Sequence, residues 1–152
     1  MFNRLVAFII LVVLSPIIGI ISMLILINDG LPIFYIQKRI GKNNINFDLY
    51  KFRTMKNNTP VIATHLIKNP EKYFIKFGRF IRESSLDEIP QLINIMKSEM
   101  SFIGPRPALY NQDDLVSLRT KKGIHNLMPG ITGWAQINGR DELSIIDKVE
   151  FD

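Results

Sequence analysis

Two adjacent acids, Asp87 and Glu88, sit in the stretch Ser84-Ser-Leu-Asp-Glu-Ile-Pro-Gln-Leu-Ile-Asn-Ile-Met-Lys97. An ionised aspartate can attack phosphorus and carry an acyl-phosphate intermediate. A second carboxylate beside it can hold a divalent cation, since magnesium takes one or two carboxylates plus substrate phosphates. Phosphoryl transfer also needs cations around the phosphates. Lys51, Arg53, Arg79, Arg82, Arg106 and Arg140 are the candidates. Arg106 stands apart because Pro105 and Pro107 fix its backbone and lower the entropy lost in aiming it.

The same acids have a structural explanation. Acidic residues are favoured in the first turn of a helix, and Ser85-x-x-Glu88 matches a capping box. That box would put Pro90 at the fifth helical position, where its missing N–H matters. With Asp87 as the cap, Pro90 falls at the third position, where it is tolerated. Asp87 is therefore expected at a helix N-terminus, where facing N–H groups favour its charged form. Capping and nucleophilic attack are compatible, and both stand.

Other chemistries are weak or excluded. The chain has no cysteine, which removes disulfides, thiolate catalysis and cysteine metal sites. His65 and His125 are isolated and lack ligand spacing. There is no phosphate-binding glycine loop of the P-loop or dinucleotide type, and no Ser/His/Asp arrangement. The net charge is +5 with pI about 9.6. Such a balance suits an anionic membrane surface or phosphate-bearing substrates. It would suit nucleic acid too, but no recognition helix or aromatic-basic interleaving appears.

The elements that must position these residues follow from patterning. Leu5 to Ile27 is apolar apart from Ser15, Pro16, Gly19 and Ser22. As a helix it would be roughly 34 Å long, against a bilayer core of about 30 Å. Pro16 predicts a sharp kink at Ser15–Pro16. A kinked span and a helix–break–helix that returns to the same face are both allowed. Lys38, Arg39, Lys42, Lys51, Arg53 and Lys56 follow the segment, against Arg4 alone before it. The basic side is expected to stay cytoplasmic.

Pro32 to Gln37 reads as a strand entering a turn at Lys38–Gly41, and Phe47 to Met55 as a second strand with Lys51 and Arg53 on one face. Asn57 to Asn69 reads as a loop. Glu71 to Glu83 has helical spacing with Phe74, Phe77 and Ile81 in one stripe. Ile89, Leu92, Ile93 and Met96 mark the buried stripe of another helix. Gly104 to Pro107 is a stiff loop, Asp113 to Lys122 a short helix, Pro129 to Gly133 a turn and Trp134 to Ile137 a strand.

Five stretches, in this order, resemble the bacterial sugar transferases, the monotopic phosphoglycosyl transferases of glycoconjugate assembly. They are the apolar leader with Ser15–Pro16, Lys51-Phe-Arg-Thr-Met55, Ser85-Leu-Asp-Glu-Ile-Pro-Gln-Leu92, Met100-Ser-Phe-Ile-Gly-Pro-Arg-Pro107 and Pro129-Gly-Ile-Thr-Gly-Trp-Ala-Gln-Ile-Asn-Gly-Arg140. The resemblance implies a mixed α/β fold. Residues 1–30 would form a re-entrant membrane helix broken at Ser15–Pro16, and residues 31–152 a cytosolic catalytic domain with interfacial amphipathic helices and a small sheet. It also implies roles. Asp87 would be the nucleophile on the β-phosphate of a UDP-sugar, releasing UMP, and Glu88 would bind magnesium. Undecaprenyl phosphate would then take the phosphosugar. Lys51, Arg82 and Arg106 would face phosphates, with Arg140 near the nucleotide. The implied partners are the UDP-sugar, undecaprenyl phosphate and membrane lipids at the cytoplasmic face of a bacterial inner membrane, without nucleic acid, and a homodimer is compatible. Tyr110-Asn-Gln112 and the Thr59–Pro60…Ala63–Thr64 stretch look most like capsule-biosynthesis members.

The chain departs from the family pattern at three places. Asn3 stands where Asp is usual, and Met128 where Arg usually precedes Pro129–Gly130. Family members also continue past the position of Asp152 with a tyrosine-rich stretch and a final amphipathic helix. The last departure motivates an alternative, a shortened and inactive membrane-bound homologue with a binding role.

Overall fold

The computed structural model describes residues 1–59, 69–139 and 142–152. Helix α1 (Phe2–Val13) and helix α2 (Ser15–Asp29) form from the apolar leader. They are bent by 63° across Leu14. The break falls one residue before the expected step. Pro16 sits at the start of α2, where no N–H is needed, and the Ser15 hydroxyl donates to the Val12 carbonyl at 2.8 Å. Among the described residues no single helix is long and apolar enough to cross a membrane, whereas the bent pair passes that test jointly. Leu5, Phe8, Ile9, Val12, Val13, Ile20, Met23 and Ile27 are each more than half exposed.

Beyond the leader the chain is mixed α/β. Strands β1 (Phe34–Ile40) and β2 (Asn46–Phe52) are followed by helices α3 (Gly78–Glu83) and α4 (Gln91–Met96). Then come β3 (Ser101–Ile103), β4 (Ala108–Leu109), α5 (Asp113–Lys121), β5 (Gly130–Thr132), α6 (Trp134–Ile137) and α7 (Ile145–Phe151). Among the described residues two small sheets result, one ordered β2-β1-β4 and the other pairing β3 with β5. Residues Lys38–Ile40, expected in a turn, belong to β1. The turn comes later, closed by the Gly41 N–H on the Ile45 carbonyl at 2.9 Å.

The chain divides into two compact units. One comprises Ile10–Tyr35 and Tyr50–Pro90. Its core is Ile21 and Ile25 of α2 with Phe52, Ile75 and Ile81, and Ile18, Ile33, Leu86 and Ile89 pack against it. Phe34 stacks on Phe52 with ring centroids 5.6 Å apart. Only the end of the expected 71–83 helix forms. Pro70–Tyr73 is a 3₁₀ turn, and Phe74 makes a β-bridge with Met55. Phe77 takes a left-handed conformation (φ 67°) just before α3. Next to it two backbones approach closely: a Cβ at Gly78 would lie 2.2 Å from the Thr54 carbonyl oxygen, so only glycine lets them meet.

The other unit comprises Met1–Ile9, Ile36–Leu49 and Gln91–Asp152. Ala108, Leu115 and Val149 form a core, with Ile40, Val116, Leu118, Ile124 and Ile145 packed on it. Strand β4 pairs antiparallel with β1, Ile40 opposite Ala108. Strand β5 pairs parallel with β3, Ser101 opposite Gly130 and Ile103 opposite Thr132. Gly130–Thr132 was expected as a turn and is this strand. Trp134–Ile137 was expected as a strand and is a short helix.

Candidate active site

Lys51 is the penultimate residue of β2, and the strand holds its side chain only 15% exposed. Its ammonium donates to Glu88 Oε1 at 2.7 Å and lies 3.8 Å from Asp87 Oδ2. Both acids are buried to less than a tenth of their surface. Buried carboxylates persist when a cation and hydrogen bonds compensate their lost hydration.

The backbone here differs from the expected cap. Asp87 and Glu88 lie within a 3₁₀ turn, Leu86–Glu88, entered through Ser85 in a left-handed conformation (φ 58°). The Glu88 N–H donates to the Ser85 carbonyl at 3.0 Å, and Ser85 makes no side-chain cap. Helix α4 begins only at Gln91, after Pro90. Leu86 and Ile89, on either side of the acids, are drawn into the hydrophobic core. Core packing, rather than capping, therefore sets where the acids point.

The electrostatics also differ from expectation. Burial pushes the Asp87 carboxyl above the usual carboxylate range, while the Lys51 charge pulls it down, Glu88 pushes it up and Arg82 pulls it down. Desolvation outweighs the favourable groups. Arg82, at the end of α3, places Nη1 3.6 Å from the Met55 sulfur. With Pro70, Glu71, Phe74, Arg79 and Glu83 it lines a shallow pocket of about 280 Å³.

Lys51, Asp87 and Glu88 are thus brought together, with Arg82 close enough to act on the Asp87 charge. Arg106 belongs to the other unit, in the loop between β3 and β4, where its carbonyl accepts from Arg119 Nη1 at 2.8 Å. Arg140 and His65 lie outside the described residues. Ser15 and Pro16 lie at the bend of the leader. Arg79 is occupied by Glu83, one turn along α3, at 2.7 Å.

Arg53 was a candidate phosphate ligand and has another task. It is 6% exposed, and its guanidinium grips the end of α2. Nη1 donates to Asp29 Oδ2 at 2.9 Å, and Nη2 to the Gly30 and Asp29 carbonyls at 2.6 and 3.2 Å. Asp29 and its second partner, Asn57, were missed in the sequence. A lone acid closing an apolar run was the available signal. Asn94 was missed too. It is fully buried and donates to the Asp48 carbonyl and to Glu99 Oε2, each at 2.7 Å.

Comparison with known proteins places this chain in a family. The whole chain, residues 1–152, matches the family model described as bacterial sugar transferase. The uncharacterized sugar transferase EpsL of Bacillus subtilis (strain 168) is 45% identical over 125 residues, which is 81% of this chain and 59% of that protein. The exopolysaccharide production protein ExoY of Sinorhizobium fredii is 36% identical, over 99% of this chain and 73% of that protein. The UDP-glucose:undecaprenyl-phosphate glucose-1-phosphate transferase of Escherichia coli (strain K12) is 36% identical, over 95% of this chain and 32% of that protein. The chain therefore spans only part of each relative. Matched from Met1 to Asp152, it belongs to the bacterial sugar transferase family.

Proposed function

We propose that this chain transfers a sugar-1-phosphate from a UDP-sugar to undecaprenyl phosphate, using Asp87 as a covalent nucleophile, at the start of capsule or related glycoconjugate assembly. The observation that carries this is the buried acid pair held against Lys51, with contacts of 2.7 and 3.8 Å. The name of the E. coli relative, a UDP-glucose:undecaprenyl-phosphate glucose-1-phosphate transferase, supports the donor and acceptor classes.

In the first step an Asp87 carboxylate oxygen attacks the β-phosphorus of the UDP-sugar. The new O–P bond forms as the bond to UMP breaks, and UMP leaves with the electron pair. In the second step an oxygen of undecaprenyl phosphate attacks the same phosphorus. The acyl-phosphate bond breaks, Asp87 is restored as carboxylate, and undecaprenyl-diphospho-sugar is released. Lys51 and Arg82 balance the negative charge that gathers there. Arg106 and Arg140 are carried as further phosphate and nucleotide contacts on the family resemblance alone.

The donor set at this position is two adjacent hard-oxygen carboxylates. That number suits magnesium completed by substrate phosphates. Among the described residues no group of three or more His, Asp or Glu is assembled. Glu88 already accepts from Lys51, and a carboxylate has lone pairs for a further partner. Glu88, seconded by Asp87, would hold the ion, and its charge would lower the repulsion between the acids and the phosphates.

The exposed apolar faces of α1 and α2 and their 63° bend support a leader that dips into the cytoplasmic leaflet of the inner membrane and returns. The test is to incubate the chain in lipid with UDP-sugars and Mg²⁺. A phosphosugar adduct on Asp87 by mass spectrometry, with one UMP released per adduct, is the expected result. No adduct with any donor would instead favour an inactive membrane-bound homologue with a binding role.

A further inference from the structure

We propose that Arg53 is a positioning residue, and that its grip on Asp29 and Gly30 sets how deep the Lys51–Asp87–Glu88 site sits relative to the lipid and so governs access of the polyprenyl phosphate. This rests on the function proposed above. Arg53 follows Lys51 by two residues, and Phe52 between them is a core residue packed with Ile21 and Ile25 of α2. Leu86 and Ile89, flanking the acid pair, join the same cluster. The apolar packing thus ties α2 to both halves of the site, but packing of this kind is non-directional. The polar clamp at the end of α2 supplies the direction.

Helix ends leave their last carbonyls unsatisfied. The Gly30 N–H closes on the Leu26 carbonyl at 3.0 Å, and Gly30 then turns away with φ 68°. The Asp29 and Gly30 carbonyls are left to Arg53, whose planar fork reaches both as well as the Asp29 carboxylate. Asn57 donates its N–H to Asp29 Oδ2 at 2.8 Å, and its side chain to the Asp29 and Leu31 carbonyls at 3.3 and 3.1 Å. The Asp29 charge is unfavourable at a helix C-terminus, and the guanidinium offsets it. The last turn of the leader is therefore locked to the segment that carries Lys51. A soluble donor reaches the site from water, whatever its depth. An acceptor held in lipid does not.

The chain has no cysteine, so a single Ser84→Cys can carry a nitroxide beside the site. The labelled protein is placed in vesicles of phosphatidylethanolamine and phosphatidylglycerol. Label depth is read from oxygen and nickel-chelate accessibility. Arg53→Gln and Asp29→Asn are compared in this background, and Asp29→Asn keeps the carbonyl contacts should Arg53→Gln fold poorly. Both variants are expected to shift the label depth. The KM for undecaprenyl phosphate should rise about tenfold, in line with the cost of small misplacements at reacting centres. The rate of adduct formation from the UDP-sugar should stay within about threefold, since only the lipid-borne substrate senses depth. Unchanged depth in both variants, or an unchanged KM for the lipid, overturns the inference. If the unsubstituted chain takes no phosphosugar, the proposed reaction fails by itself, and the depth measurement still decides the role of Arg53.

Discussion

Lys51 Nζ lies 2.7 Å from Glu88 Oε1 but 3.8 Å from Asp87 Oδ2. The ammonium therefore hydrogen-bonds the second acid and supports the first through its field alone. On the proposed mechanism this spacing matters, because a nucleophile bonded tightly to a cation would be stabilised and dulled. Here the cation is anchored next door, near enough to favour the carboxylate.

Asp87→Asn should abolish the phosphosugar adduct and UMP release while the protein still folds. It should also flatten the pH dependence of stability. The folded-state pKa of Asp87 is raised, chiefly by burial. The folded protein therefore binds more protons than the unfolded chain between the two pKa values, and stability falls as pH rises through that window. An uncharged residue removes this falling limb. Thermal melts of both proteins across a pH series that begins below the ordinary carboxylate range and ends near neutrality would show it. An unchanged slope would mean that Asp87 is not desolvated as described.

Lys51→Met removes the cation nearest both acids. Asp87 should titrate still higher, so the acid limb of the pH–rate profile moves to higher pH. Turnover near neutrality should fall by about tenfold or more, on the scale of losing one aimed charge. Leaving two largely buried carboxylates without this partner should destabilise the fold by about 2 kcal/mol, discounted for partial exposure. A pH–rate limb that stays in place would remove Lys51 from the electrostatics of Asp87.

Gly130→Ala should destabilise by about 1–3 kcal/mol, the usual cost of overpacking. Its Cβ would fall 2.2 Å from the Gly104 nitrogen. The Gly130 N–H also donates to the Pro105 carbonyl at 2.9 Å, so the loop bearing Arg106 would have to shift. Chemical denaturation together with the KM for the UDP-sugar reads both effects. A fully stable variant would contradict this close approach.

Arg79→Ala is the contrasting case. Its pair with Glu83 is largely exposed, at 72% and 64% of the side chains. Exposed pairs on one helix face contribute little. No measurable change in Tm or adduct formation is expected, and a large loss of adduct would assign Arg79 to the phosphates.

The grouping of charged side chains was more legible in the sequence than the backbone that carries it. Adjacent acids, a nearby lysine and a proline-broken apolar leader are properties of residue type and order, and the structure brings Lys51, Asp87 and Glu88 together. The elements that were misread depend on distant partners. Helical spacing over 71–83 yielded to the bridge of Phe74 with Met55 and the contact of Gly78 with Thr54. Residues 130–132 look like a turn until β3 pairs with them. Capping at Asp87 is locally sound, but burying Leu86 and Ile89 overrides it. Arg53 could not be told from the other cations, because its partner Asp29 lies 24 residues back along the chain, beyond both β1 and β2.

The oily faces of α1 and α2 have a practical corollary. Exposed apolar side chains in this number drive association in plain buffer. Dispersed preparations will call for detergent micelles or nanodiscs, and particle size measured without an amphiphile will report clumping of these two helices instead of a native assembly.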